Sequence, residues 1–327
     1  MQNWDAPDKK YLHNQRLGLI KIKNSRIICK YFLYFVFNSW LIRTSVSATA
    51  SGTKVKHTSP QKICDLIIPI PPLPEQRKIA DILSTWDKAI ALLEQLITAK
   101  RKLKQGLMQQ LLTRKKRFKE FEGSECSIVK LSEVATIRRG ASPRPIQDPK
   151  WFAETGRGWV RIKDVTASNT YLTQTSQYLS NLAVEKSVKV DPGDLIMSIC
   201  ATIGIPRIVG IPACIHDGFV VFRGFEKQID KFFLYHYINF ISSRISDSGQ
   251  PGTQKNINTT IVGNIEVPKF SLEEQQKIAS TLSAADAEIS NLEKQLAAYK
   301  QQKRGLMQQL LTGKKRVKID EPQMQKV

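Results

Sequence analysis

GLMQQLLT stands at Gly106–Thr113 and stands again, letter for letter, at Gly305–Thr312. Each copy runs into a basic cluster, Lys115-Lys116-Arg117 in the first and Lys314-Lys315-Arg316 in the second. Upstream, EQ-x-KIA opens both copies, at Glu75–Ala80 and Glu274–Ala279. Glu75–Arg117 and Glu274–Arg316 align without a gap, and roughly 24 of about 43 positions are identical, far above chance for unrelated helices.

Both copies predict long helices. In the first, Ile79, Leu83, Trp86, Ile90, Leu93, Ile97, Leu107 and Leu111 recur at alternating spacings of three and four, with Lys100 and Lys104 interrupting. In the second, Ile278, Leu282, Ala285, Ile289, Leu292, Leu296, Tyr299, Leu306 and Leu310 do the same. Such a heptad stripe is the seam of a coiled coil. Pro71, Pro72 and Pro74 precede the first helix, and proline suits a first turn, where its missing N–H is not needed. Ser271 with Glu274 predicts a capping box for the second, and Gly313 a C-terminal cap. The basic clusters complement the negative ends of the helix dipoles, with phosphate contact as their second reading. About 43 residues at 1.5 Å each make rods of roughly 65 Å. Rods so narrow cannot bury their seams alone, so the two are expected to pack antiparallel on each other.

The duplication reaches beyond the helices. Lys30–Tyr34 (KYFLY) resembles Lys231–Tyr235 (KFFLY), Gly52-Thr53 resembles Gly252-Thr253, and Ile68-Pro69 matches Val267-Pro268. Asn14–Ile22 matches His216–Gly224 weakly, as a short apolar strand. The unit is therefore a globular part followed by a long helix, used twice. Between the helices, Leu131–Arg138, Gly158–Ile162, Leu195–Ala201, Arg207–Val209, Phe219–Arg223 and Ile261–Val267 predict strands, separated by Pro and Gly turns. Lys231–Ile245 predicts a helix, and Ser246–Asn258 a polar loop. The fold class is α+β. The expected organisation is a remnant of a first globular domain over 1–70 and a long helix over 71–122. A complete domain over 123–269, a second long helix over 270–317 and a tail over 318–327 follow. The first globular part lacks about 88 residues of counterpart, more than half of a domain of this size.

The 327 residues carry 50 Lys+Arg against 29 Asp+Glu, a formal net charge of +21. That balance points to polyanionic partners, nucleic acid first and an acidic membrane surface second. Cys29, Cys64, Cys126, Cys200 and Cys214 are odd in number and scattered, which argues against a disulfide scaffold or a zinc ribbon. Met1–Gln15 is polar and charged, with no signal-peptide core. Ile27–Ile42 is aromatic-rich but shorter than the roughly 20 apolar residues a bilayer span needs, so it predicts a buried helix.

The sequence resembles the specificity subunit of type I restriction-modification systems. The resemblance rests on PPLPEQRKIA (Pro71–Ala80), SLEEQQKIA (Ser271–Ala279) and both GLMQQLLT copies. It rests also on KLSEVATIRRGASPRP (Lys130–Pro145), DPGDLIMS (Asp191–Ser198) and GTQKNIN (Gly252–Asn258). It implies α/β target-recognition domains that each read half of a split DNA site, held apart by two antiparallel helices. It further implies a chain without catalytic activity that binds double-stranded DNA, two methyltransferase subunits and restriction/translocase subunits. S-adenosylmethionine, ATP and Mg²⁺ are then expected on those partners and no cofactor in this chain, in the cytoplasm of a bacterium or archaeon. The alternative is a coiled-coil adaptor that reads no DNA, or an inactive relic pairing with another specificity chain.

Arg138, Arg139, Ser142 and Arg144 follow a predicted strand in a turn-rich segment, where arginine suits guanine or phosphate. Gln250, Thr253, Gln254, Lys255 and Asn256 lie in the polar loop, where Gln or Asn can pair two-pronged with adenine, or where the loop merely caps the preceding helix. Lys163 is a further candidate, with Arg161, Arg207 and Arg223 as surface charges of lower rank. Trp151 and Trp159 could stack on bases or pack in the core. No GxxxxGK[ST] phosphate loop and no glycine-rich strand-to-helix turn is present. His13, His57, His216 and His236 form no ligand pair on one helical face, and DPGD reads as a tight turn rather than a nuclease site.

Overall fold

A computed structural model of the chain describes residues 19–49, 58–225, 229–247 and 256–319. Four helices come first: α1 (Lys30–Asn38), α2 (Trp40–Thr49), α3 (Pro60–Cys64) and the long α4 (Leu73–Leu111). There follow β1 (Ser127–Lys130), α5 (Leu131–Val134), β2 (Thr136–Arg139), β3 (Phe152–Ala153), β4 (Arg157–Val160) and α6 (Ile162–Ala167). Next are β5 (Tyr171–Leu172), β6 (Tyr178–Leu179), α7 (Asn181–Val184), β7 (Val188–Val190), β8 (Leu195–Ser198), β9 (Pro206–Val209), β10 (Ala213–Ile215) and β11 (Phe219–Arg223). The chain closes with α8 (Lys231–Asp247), α9 (Thr259–Gly263), β12 (Glu266–Lys269) and the long α10 (Leu272–Leu310). Two compact units result: a terminal unit of Met1–Ala99 with Ser290–Val327, and a central unit of Lys100–Ile289. Helices α4 and α10 contribute residues to both.

In the terminal unit α4 and α10 run antiparallel. Glu75 pairs with Arg316 at 2.5 Å, Asp87 with Lys303, and Glu94 with Lys300 at 2.6 Å, so positions rise along one helix as they fall along the other. Trp86 meets Tyr299 edge to face at 5.5 Å. The core joins Phe32, Phe35, Val36 and Ile42 to Ile79, Ala80 and Leu83 of α4 and to Leu310 and Leu311 of α10. Fully buried Gln76 ties α1 to the start of α4: its Nε2 donates to the Ile27 and Pro71 carbonyls, and its Oε1 accepts from the Cys29 amide, all at 2.8 Å.

The central unit repeats this with the roles of the two helices exchanged. Glu274 pairs with Arg117, Asp286 with Lys104 at 2.5 Å, and Glu288 with Lys100 at 2.6 Å. Buried Gln275 donates to the Phe270 carbonyl at 2.9 Å and accepts from the Asp230 amide at 2.8 Å, just ahead of α8. The lysines that interrupt the stripe are thus interhelical ion pairs: Lys104 with Asp286 has its repeat counterpart in Lys303 with Asp87. Among the stripe residues, Ile79, Leu83, Leu93, Ile97, Leu111, Ile278, Leu282, Ile289 and Leu310 are buried. Trp86, Ile90, Leu107, Leu292, Leu296 and Leu306 are half-buried.

The helix ends follow from their sequences. The Ser271 hydroxyl accepts from the Glu274 amide at 3.3 Å, half of the predicted capping box. The other half is absent because the Glu274 carboxylate accepts from Arg117 Nε at 3.0 Å instead, and a charged fork outcompetes a backbone amide. Gly313 sits at φ +72 as a C-terminal cap. Its counterpart Arg114 takes the same left-handed conformation at φ +64, without glycine's freedom. Arg117 and Arg316 of the basic clusters each bind the buried glutamate that opens the opposite helix.

Glu274 is 1% exposed and Arg117 15%, whereas Arg316 is 65% exposed. Glu274→Gln should therefore cost about 1.5–3 kcal/mol in urea unfolding, the range for a hydrogen bond to a charged group. Glu75→Gln should cost less, because Arg316 can turn to water. Arg316 also holds the Glu75 carboxyl below the ordinary carboxylate range, against the opposing pull of burial. That contribution is present above the unfolded carboxylate pKa and is lost as pH falls through the folded one.

The rest of the central unit is built from two five-stranded sheets. One has the order β2-β11-β8-β9-β5, the other β3-β6-β4-β10-β7, and β1 pairs separately with β12. In the first sheet, alternate residues of β8 and β11 serve two cores. Leu195, Met197, Val220 and Phe222 pack with Phe233, Leu234 and Ile238 of α8, while Ile196, Phe219 and Val221 pack with Val160, Val188, Val190 and Ile215 of the second sheet. A sheet covered on both faces needs continuous apolar strands, which is why LIMS and FVVFR show no alternation.

Several expected elements differ. Ile27–Ile42 is not one buried helix: the chain breaks at Ser39, whose extended ψ of 150° separates α1 from α2. Phe32 and Phe35 are fully buried, but Tyr31, Tyr34, Trp40 and Leu41 are exposed. Leu131–Val134 is helical rather than strand, and only Thr136–Arg139 pairs, with β11. Gly158–Ile162 ends as a strand at Val160, since Asp164 Oδ2 accepts from the Arg161 amide and starts α6. Thr259–Gly263 is helical because Asn258 Oδ1 accepts from the Ile261 amide at 2.8 Å and caps a turn, leaving the strand to begin at Glu266. Of the strand expected over Asn14–Ile22, residues 19–22 are described and are not strand. The Gly52-Thr53-Lys54 loop lies outside the described residues. Among the described residues, no helix is long and apolar enough to cross a membrane.

Candidate nucleic-acid interface

Three strands of the first sheet reach one end together: β2 finishing at Arg139, β8 finishing at Ser198, and β11 beginning at Phe219. The tight turn His216-Asp217-Gly218 before β11 sits among them. The Gly140 amide donates to the Phe219 carbonyl at 2.9 Å, and the Ala141 amide to the Ile215 carbonyl at 3.1 Å. This seats the segment after β2 against the turn. A Cβ on Gly140 would lie 2.1 Å from the His216 carbonyl oxygen, so only glycine permits the approach. A Cβ on Gly218 would lie 2.3 Å from Cys200 Sγ.

Asp217 gathers the expected DNA-contacting side chains. Its carbonyl accepts from Arg139 Nε at 2.7 Å, its Oδ1 from the Ser142 hydroxyl at 2.8 Å, and its Oδ2 from Arg144 Nη2 at 3.1 Å. Arg144 is 71% exposed and Asp217 42%. Burial opposes ionisation of Asp217, but the Ser142 hydroxyl, a backbone amide, Arg144 and His216 outweigh it and hold the carboxyl below its ordinary value. Burial, then the Arg161 charge, push His216 down to about 4, so it is neutral at pH 7. Its Nδ1 accepts from the Gly218 amide at 2.9 Å, which fixes the turn. Burial and the Asp217 charge raise the Cys200 thiol.

Asn256, at the described end of the polar segment, reaches the same end. Asn256 bridges Cys200 in antiparallel fashion, and the Ile199 amide donates to the Gly218 carbonyl at 2.8 Å. Asn256 is exposed. Gln250, Thr253, Gln254 and Lys255 lie outside the described residues. The fold thus brings Asn256 to one rim with Arg139, Ser142 and Arg144, which lie more than a hundred positions earlier in the chain. Arg138 is exposed on β2, but strand alternation turns it to the face opposite Arg139.

Other candidates take different places. Lys163 is exposed on α6, and the hydrogen bonds among the described residues do not join it to the Asp217 cluster. Arg207 is held by the Pro206 and Ser168 carbonyls at 2.7 and 2.8 Å, and Arg223 by Asp194 at 2.8 Å, so both are structural. Trp159 is fully buried, and Trp151, 3% exposed, donates to the Pro145 carbonyl at 2.8 Å. Both belong to the core rather than to a stacking surface. Asp217, His216 and Gly140 were not singled out from the sequence; the signal was a His-Asp-Gly turn running directly into a five-residue apolar strand. Among the described residues, no His, Cys, Asp and Glu side chains gather as a metal site.

Comparison with known proteins places this architecture. Residues 6–100 and 123–299 match the family described as the type I restriction modification DNA specificity domain. The chain is 28% identical over 307 residues to the type I restriction enzyme MjaVIII specificity subunit of Methanocaldococcus jannaschii, covering 88% of this chain and 71% of that one. In fold it is similar to the S subunit of a type I restriction-modification system from M. genitalium, with a TM-score of 0.60 and 18% identity over 88% of this chain and 74% of that one. It is similar also to the HsdS subunit of Thermoanaerobacter tengcongensis, with a TM-score of 0.52 and 20% identity over 86% and 70% of the two chains. With the duplicated helices, the two-sheet domain between them and most of its length matched, the chain belongs to the type I restriction-modification DNA specificity family.

Proposed function

We propose that this chain is the DNA-recognition subunit of a type I restriction-modification complex and that its central unit reads one half of a bipartite site. The observation that carries the half-site assignment is the rim where Arg139, Ser142, Arg144 and Asn256 converge at the end of one sheet. A net charge of +21 supplies the sequence-independent attraction to phosphates on which base reading rests. The chain takes no catalytic step. It assembles with methyltransferase and restriction subunits, and S-adenosylmethionine, ATP and Mg²⁺ belong on those partners. Two methyltransferase subunits suit the internal repeat, since the one pair of long helices offers the same ion-pair pattern twice.

A methylation map of DNA from cells carrying the chain and its methyltransferase tests the assignment. A two-part motif is the expected result. If the motif is palindromic, a second specificity chain supplies the other half; if asymmetric, both halves are read within one chain. Arg144→Ala should cost about 1–3 kcal/mol in binding and relax one motif position if the side chain meets a base, or weaken all sequences alike if it meets phosphate. Unaltered binding and an unaltered map would favour an adaptor that reads no DNA.

A further inference from the structure

A surface that meets phosphates is expected to exclude carboxylates, yet Asp217 stands at the centre of the basic rim. The chain has far fewer acidic than basic residues, 29 against 50. An exposed ion pair adds little stability, so the carboxylate has little structural reason to be there. Its placement is rigid nonetheless. The Gly218 amide on the His216 ring, the Phe219 amide on the His216 carbonyl at 3.0 Å and the close approach of Gly140 lock the turn that carries it. One carboxylate oxygen takes Ser142 and the other takes a single nitrogen of Arg144. A guanidinium has five N–H donors in a planar fork with two paired edges, Nε–Nη2 and Nη1–Nη2, so a contact through one N–H of Nη2 leaves one paired edge of Arg144 to donate outward.

We propose that Asp217 is a positioning residue for base reading: it holds Arg144 by one edge so that the other edge meets a base, and its charge keeps that arginine from settling on a phosphate. The inference rests on the reading of the rim as the DNA-contacting surface. An arginine with no carboxylate beside it finds the nearest phosphate, which carries no sequence information. An arginine fixed by a rigid carboxylate instead presents a paired donor edge, the geometry that matches guanine O6 and N7.

The test uses the assembled complex of this chain with its methyltransferase, and duplexes carrying either the motif mapped for the parent complex or a scrambled version. Asp217→Asn should lower the ratio of motif to scrambled affinity by about 5- to 100-fold. Scrambled binding should be unchanged or tighter, melting close to the parent, and the methylation motif degenerate at one position. Arg144→Ala should relax the same position, and the double variant should lose no more than the single ones, because the two side chains act as one device. Asp217→Glu should recover part of the ratio. If Arg144→Ala lowers the ratio while Asp217→Asn leaves it intact, the positioning role is overturned and the DNA reading of the rim stands. A loss by Asp217→Asn that is equal for motif and scrambled duplexes overturns the role as well. If neither variant changes the ratio, the rim itself is not the reading surface.

Discussion

Leu83→Asp and Leu282→Asp should each lower the free energy of unfolding by about 3–5 kcal/mol, the cost of leaving a buried charge without a partner. Both leucines are 0% exposed and occupy the same position in the two repeat copies. Leu83 packs with Phe32 and Phe35 in the terminal unit, and Leu282 with the α8 core in the central unit. The two variants therefore injure different units by the same mechanism. Leu96→Asp is the control, because Leu96 is 42% exposed and an aspartate there keeps its water. Urea unfolding followed by circular dichroism measures all three. Unchanged midpoints for Leu83→Asp and Leu282→Asp would contradict the seam.

Acid should destabilise the central unit well before its carboxylates titrate. Burial, then the Lys104 charge, push His236 down to about 3, and burial pushes His216 to about 4. In the unfolded chain both titrate near 6.5. The unfolded state therefore binds more protons as soon as pH drops below that value. The stability these neutral imidazoles contribute is complete above pH 6.5 and is lost as pH falls toward the folded values. Between pH 6.5 and pH 5 each histidine should cost about 2 kcal/mol. His236 is fully buried, its Nε2 is 2.9 Å from the Ser283 hydroxyl, its Nδ1 is 3.9 Å from Asp286, and Lys104 holds that aspartate. The repeat itself supplies the test, since the residue equivalent to His236 in the terminal unit is Phe35, also fully buried, with Lys303 over its ring at 5.3 Å. His236→Phe should keep the fold and remove about half of the stability lost between pH 7 and pH 5. An unchanged pH dependence in that variant would contradict the assignment.

Periodicity made the long helices legible, because a seam that packs against another helix must recur every three to four residues. Leu73–Leu111 and Leu272–Leu310 fall within the 71–122 and 270–317 expected for the long helices, each starting two residues ahead of the repeat. The strands were legible where both faces are buried, as in Phe219–Arg223, and misplaced where a short helical turn interrupts the apolar run. Leu131–Val134 and Thr259–Gly263 are apolar enough for a strand, yet each turn is too short for helical periodicity to register. The break at Ser39 was likewise invisible, since an aromatic run reads the same whether one helix or two carry it.

The candidate arginines of the rim were legible as residue types in a turn-rich segment, but their arrangement was not. Arg139, Ser142 and Arg144 meet Asp217 across more than seventy positions, and Asn256 arrives through a bridge to Cys200. No local pattern encodes such a meeting, because it depends on which strand ends share a sheet edge. The repeated sequence by itself determined two equivalent long helices and a chain that alternates globular parts with them, since matched heptads admit few other structures. Only the tertiary structure decided that the interrupting lysines are interhelical ion pairs, that glutamates at the helix starts bind arginines past the opposite ends, and that an aspartate sits among the arginines of the rim. Those pairings join residues distant in sequence, and the charge of one is given meaning only by the partner that folding brings beside it.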